Sequence, residues 1–193
     1  MKQTTRGHYK KSELRAAFDA YPTPHCATKI LLDNEKFVGN IWECASGVGH
    51  ICKSLRLYGY NDIIASDIQT GEEIVGERGV DFMKDYRKVN NIITNPPYKQ
   101  AQEFIEHGLP LVTHKLAVLC RIDFIESAAR FALFERHSLR IKRILVISNR
   151  LPFYSRQGRW DKIGATFGHA WFVWDYEYSG NTKIDWFLHD GSI

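Results

Sequence analysis

The 193-residue chain is poor in cysteine, and its four cysteines, Cys26, Cys44, Cys52 and Cys120, include no Cys-x-x-Cys pair. That spacing argues against a zinc knuckle and against a disulfide framework, so no metal is expected and a reduced, cytoplasmic setting fits best. No stretch approaches the roughly 20 apolar residues of a membrane span. The first residues, Met1-Lys2-Gln3-Thr4-Thr5-Arg6, lead into no apolar signal core, and no membrane partner is expected. Internal repeats and low-complexity tracts are also missing, which excludes solenoids and arrays.

What is present fits one domain over residues 1–193: hydrophobic residues make up 44% and charged residues 25%. The net charge of +4 is unevenly spread. Between Arg140 and Lys162 seven basic residues face the single Asp161, a net +6 that leaves the rest of the chain at −2. Five more, Lys2, Arg6, Lys10, Lys11 and Arg15, against Glu13, mark a basic N-terminal arm over residues 1–20. Two basic clusters with interleaved aromatics predict a polyanionic partner, a nucleic acid.

Apolar runs and amphipathic stretches alternate along the chain. Short strands are expected at 40–44, 62–66, 80–83, 91–94, 116–120, 141–147 and 169–174, with a further edge strand at 184–188. Helical spacing covers 48–58, 100–114 and 126–137. The alternation predicts an α/β fold: a seven-stranded, mostly parallel, Rossmann-like sheet with helices on both faces. Residues 149–168 form a long connection, the kind that is usually functional.

In such sheets ligands bind outside the carboxyl ends of the strands. Two candidate turns occupy that edge. Glu43-Cys44-Ala45-Ser46-Gly47-Val48-Gly49 joins the first strand to the first helix, and its glycines let the backbone approach a ligand. Asp67, at the end of the second strand, can accept from ribose hydroxyls. Two cofactors compete for such a site. A dinucleotide wants a third glycine three residues after Gly49, where Cys52 stands, and Glu43 would repel a pyrophosphate. The sulfonium and ammonium of S-adenosylmethionine would instead be attracted to Glu43. Asp81-Phe82 offers a carboxylate and a ring to an adenine. The second turn is Asn95-Pro96-Pro97-Tyr98, after the apolar Asn91-Ile92-Ile93-Thr94. Its prolines fix the backbone and remove two amide donors, leaving carbonyl acceptors and the Asn95 amide to face a planar amine, with Tyr98 as a stacking surface.

Glu43-x-Ala45-x-Gly47-x-Gly49, Asp67-Ile68, Asp81-Phe82 and Asn95-Pro96-Pro97-Tyr98, in this order, resemble the motif series of the class I amino-methyltransferases, most closely the adenine-N6 DNA methyltransferases. Tyr21-Pro22-Thr23-Pro24 resembles the segment that packs on the cofactor in the subgroup whose cofactor motifs come first. His169-Ala170-Trp171-Phe172-Val173-Trp174-Asp175 resembles the seventh strand of small phage or prophage members. The resemblance implies a cofactor site of Thr23, Glu43, Ala45, Gly47, Gly49, Asp67, Ile68, Asp81, Phe82 and Asn95. It implies a catalytic turn of Asn95, Pro96, Pro97 and Tyr98, with Phe153 as a second stacking aromatic. Arg150, Arg156, Arg159 and Trp160 are expected to meet the flanking nucleic acid.

The chain departs from long-site DNA methyltransferases in having no room for a separate target-recognition domain. Recognition is then expected from residues 149–168, from the N-terminal arm, or from a protein partner. An RNA adenine methyltransferase and a protein-glutamine methyltransferase share the same chemistry, and a catalytically silent nucleic-acid-binding module is the reading from another class.

Overall fold

The computed structural model describes residues 22–137, 141–154, 160–161 and 167–192. The basic arm at 1–20 lies outside them, as do Arg156 and Arg159.

Ten strands fall in chain order: β1 (Ile41–Glu43), β2 (Ile63–Asp67), β3 (Glu77–Arg78), β4 (Val89–Thr94), β5 (Val112–Arg121), β6 (Ile141–Ile147), β7 (Phe153–Tyr154), β8 (Trp160–Asp161), β9 (His169–Asp175) and β10 (Lys183–Phe187). Eight of them form one sheet in the order β10-β6-β9-β5-β4-β1-β2-β3, and β7 and β8 pair separately as a small antiparallel hairpin. The sheet is therefore eight-stranded and mixed rather than seven-stranded. Strand β9 runs antiparallel to both β5 and β6, while the other pairings are parallel. The expected edge strand after the seventh is present as β10, parallel to β6.

Alternation sorts the strand residues onto two faces. Trp42, Ile92, Leu116, Val118, Phe172 and Trp174 point to one face, and Ile41, Ile93, Ala117, Leu119, Trp171 and Val173 to the other. The second face is covered by helices α1 (His25–Asn34) and α2 (His50–Leu57). In α2 the buried Ile51, Cys52 and Leu55 follow helical spacing. The first face is covered by α3 (Ala101–Gly108) and α4 (Ala128–His137). With both faces covered and a strand on each side, all seven residues of β9 are buried. Trp171 also donates its indole N–H to the carbonyl of Ala27 at 2.8 Å, fastening α1 to the middle of the sheet.

Two expected elements are corrected. The helix expected over 100–114 stops at Gly108, because Pro110 turns the chain through Leu109–Leu111 and β5 starts at Val112. The third strand, expected at 80–83, is only Glu77–Arg78. Gly79 (φ 69°) breaks it, and the Asp81 carboxylate accepts the Met83 N–H to cap a 3-10 turn at Phe82–Lys84.

At the amino ends of the strands, Lys115 of β5 is buried and donates to Glu35 at 2.9 Å, while Lys142 of β6 donates to Glu35 at 2.8 Å and to Asp175 of β9 at 3.3 Å. This ion network closes the end of the sheet opposite the two candidate turns.

Candidate active site

The carboxyl ends of β1, β2 and β4 lie side by side, and between them opens a cavity lined by Thr23, Glu43, Ala45, Gly47, Asn95 and Pro97, among others. Residues from four separate stretches of sequence thus meet at one place.

The turn after β1 is held from below by backbone bonds. Ser46 Oγ donates to the Val75 carbonyl at 2.7 Å, and the Val75 N–H donates to the Gly47 carbonyl at 2.9 Å. Gly47 (φ 48°) donates its N–H to Asp67 Oδ2 at 2.8 Å, and an added Cβ at Gly47 would meet nothing within 4 Å. Gly49 (φ 82°) is different: its Cβ would come within 2.8 Å of Val75 Cγ2. One glycine is required by packing, the other leaves open space beside the cavity.

Glu43 is 1% exposed. Its Oε1 accepts from the Thr94 hydroxyl at 2.7 Å and from the Ala45 N–H at 3.1 Å, while Oε2 has no hydrogen-bond partner among the described residues. Burial pushes its carboxyl up to about 8, helped by nearby Asp67 and opposed by those two hydrogen bonds. Oε2 of this buried carboxyl is left unsatisfied at a cavity wall, and a cation placed beside it would favour the ionised form.

Asn95 follows Thr94 directly, so Glu43 anchors the residue before it. The Asn95 Nδ2 donates to Thr23 Oγ1 at 3.0 Å, which fixes the direction of the amide and ties the Asn-Pro-Pro-Tyr turn to the segment before α1. Pro96 is buried and Pro97 lines the cavity. The Tyr98 ring lies 5.4 Å from the ring of His169 at the start of β9. His169 is buried, and burial together with Arg121 and Arg150 lowers its pKa to about 4, so it is a neutral imidazole at physiological pH. Arg121 pairs with Asp123 and stacks on Phe167, its guanidinium carbon 3.3 Å from the ring centroid.

Not every expected residue reaches the cavity. Asp67 is buried, with its oxygens on the N–H groups of Gly47 and Gln69, both at 2.8 Å, so it braces the glycine turn. Ile68 beside it is exposed. Phe82 is packed into the core, stacked on Phe104 at 4.7 Å and edge-on to Trp42 at 5.1 Å, and Asp81 caps its own turn and pairs with Lys84. Neither of these last two lines the cavity: the Phe82 ring is taken up by the core and the Asp81 carboxylate by its own turn. Arg150 is exposed, with Nη1 3.4 Å from where a Cβ on Gly168 would sit. Phe153 and Trp160 belong to the β7–β8 hairpin, so part of residues 149–168 is a hairpin rather than a simple loop. Sequence reasoning passed over Thr94, His50, Gln69, Glu73 and Ile74, of which the last four line the cavity. Thr94 and His50 could have been found by their adjacency to Asn95 and Gly49.

No family model matches the chain, and no curated protein matches it. Solved structures do. A Vibrio vulnificus protein described as the modification subunit of a type I restriction enzyme is 12% identical with a TM-score of 0.59, over 93% of this chain and 50% of its own. A Listeria monocytogenes protein described as a class I S-adenosylmethionine-dependent methyltransferase is 12% identical with a TM-score of 0.60, over 88% of this chain and 66% of its own. A Pyrococcus horikoshii protein described as an RNA methyltransferase is 11% identical with a TM-score of 0.59, over 87% and 98%. The fold is the Rossmann-like fold of these methyltransferases. The chain spans about half the length of the Vibrio protein and 66% of the Listeria protein.

Proposed function

We propose that the chain is an S-adenosylmethionine-dependent methyltransferase acting on the exocyclic amine of adenine in DNA. What carries this reading is the meeting of Asn95, from the Asn-Pro-Pro-Tyr turn, with Glu43 and Gly47 in a single cavity at the carboxyl edge of the sheet.

The residues present fit the cofactor. The unsatisfied Oε2 of Glu43 suits a cationic group, and the open space at Gly47 admits a ligand against the backbone. Glu43, Ala45, Gly47 and Thr23 would hold the methionine half. Asp67 would support the nucleoside half by bracing the glycine turn through Gly47 and Gln69, and the exposed Ile68 would offer an apolar face to the adenine. When bound, S-adenosylmethionine supplies a methyl group activated by its positive sulfonium.

The exocyclic nitrogen of adenine is a weak nucleophile because its lone pair is delocalised into the ring. Asn95 and the Pro96 carbonyl would accept its two N–H groups, draw the nitrogen toward a pyramidal form and aim its lone pair. Tyr98 would stack on the base. The proton leaves after transfer, so alignment and acceptor dipoles suffice without a strong base. The adenine must leave its stack to enter such a pocket. Arg150, Arg156 and Arg159 would hold flanking phosphates, with Phe153 and Trp160 beside the displaced base. A nucleic acid is favoured by the basic segment, and DNA by the fold neighbour described as the modification subunit of a type I restriction enzyme. Site reading would fall on residues 149–168, the N-terminal arm or a protein partner.

The test is incubation with labelled S-adenosylmethionine and, separately, duplex DNA, total RNA and a protein extract. Label in DNA, recovered as N6-methyladenine and lost on Asn95→Ala with cofactor binding retained, is the expected result. Label in RNA or protein alone overturns the DNA assignment. Cofactor binding without transfer to any pool would favour a silent module. Arg156→Ala with Arg159→Ala should flatten the salt dependence of DNA binding by about two charges; an unchanged slope removes these residues from the interface.

A further inference from the structure

Among the described residues β10 is the last strand of the sheet, so its outer N–H and C=O groups form an open edge. Its two faces differ. Asp185 accepts from Arg143 at 2.7 and 2.9 Å, and Phe187 packs toward the α1 side. The alternate residues face the other way: Trp186 is 68% exposed, and Leu188 beyond the strand is 78% exposed. Beside them runs an apolar groove of about 820 Å³ between α4, β6 and β10, lined by Phe131, Phe134, Ile141, Ile144, Thr182 and Ile184. A bare edge, a protruding tryptophan and an adjacent apolar groove rarely occur together on an uncovered surface.

We propose that this edge joins a second copy of the same chain, β10 to β10, antiparallel and centred on Ile184. The patch is self-complementary, as a two-fold interface requires. With Ile184 opposite itself, Trp186 falls opposite the partner's Thr182, at the lip of the partner's groove, and the reverse holds by symmetry. On the other face Lys183 stands opposite the partner's Asp185, giving two opposite-charge pairs. Centring on Asp185 instead opposes two carboxylates, and centring on Lys183 opposes two ammonium groups. A one-residue slip sends the two apolar faces to opposite sides of the sheet. The Ile184-centred register alone both pairs the charges and seats the tryptophans.

The full chain is examined by sedimentation and by oxidative trapping. The expected species at high concentration weighs roughly 45 kDa, twice the 22.3 kDa of one chain. Trp186→Glu should weaken self-association by at least about ten-fold with an unchanged circular dichroism spectrum. Ile184→Cys should form an intermolecular disulfide, since the four native cysteines are buried and do not compete. Leu188→Cys should not, its two copies lying roughly 26 Å apart at about 3.3 Å per residue. A monomer at every concentration overturns the proposal, whether residues 1–21 or another protein covers the groove. So does a dimer indifferent to Trp186→Glu, or one that Ile184→Cys fails to trap.

Discussion

Glu43 and His169 flank the proposed reaction centre and are displaced from ordinary titration in ways that oppose each other in pH. The unfolded chain ionises Glu43 near 4.5, but the folded chain holds its proton to about 8. Stability is therefore lost as pH rises through that window, on the order of 5 kcal/mol across it. His169 is neutral in the fold down to about 4, while the unfolded chain protonates it below 6.5. Its contribution is lost as pH falls from 6.5 to 4. The ligand-free protein should be most stable between about pH 5 and 6.5. Melting curves from pH 4 to 9 should show Glu43→Gln removing the alkaline loss and His169→Gln the acid loss; parallel curves for all three proteins would refute the assignment. The same ionisation favours a cationic cofactor as pH rises toward 8. Affinity for S-adenosylmethionine should therefore climb relative to the uncharged thioether product, and Glu43→Gln should abolish that trend.

The turn between β1 and α2 carries two glycines of different kinds. Gly49→Ala forces a Cβ against Val75 at a positive φ and should cost about 2 kcal/mol or more in denaturant unfolding. Gly47→Ala bears only the left-handed backbone cost of about 1 kcal/mol, yet places a methyl beside the cavity. It should keep most of its stability and lose most of its cofactor affinity by calorimetry. Equal stability losses in the two variants would contradict the division. The glycines themselves were legible in the sequence, because a strand, a glycine turn and an amphipathic helix each leave a local pattern. Their division of labour was not, since Val75 is brought in by a loop from beyond β2. The same limit explains Phe82: a short apolar pair near a strand end has no local mark of whether its ring faces a ligand or the core. The stop at Pro110 was legible and simply overruled by apolar spacing.

The ion network at the amino ends of the strands joins α1, β5, β6 and β9 through Glu35, Lys115, Lys142 and Asp175. Lys115 and Glu35 are 80 residues apart, and no sequence pattern announces that contact. Lys115→Met leaves Glu35 and Asp175 with less compensation in a buried place and should destabilise the fold by about 3 kcal/mol while sparing cofactor contacts at the other end. A denaturant midpoint like that of the parent would show the network to be solvated. Alternation made the parallel strands readable, but the insertion of β9 between β5 and β6 depends on long-range pairing alone. That insertion has a consequence for biogenesis. Strands β1 to β5 each find a neighbour among strands already made, or the one made next. Strand β6 does not, because both of its neighbours, β9 and β10, emerge from the ribosome later. Until His169–Asp175 arrives, the apolar Ile141–Ile147 segment waits with two naked edges, the kind of nascent species that invites chaperones or aggregation. The stretch from Ser148 to Gly168, which carries the β7–β8 hairpin and the basic residues proposed to hold substrate, is also the delay between that strand and its partner. Lengthening it would prolong the chain's most vulnerable interval during translation.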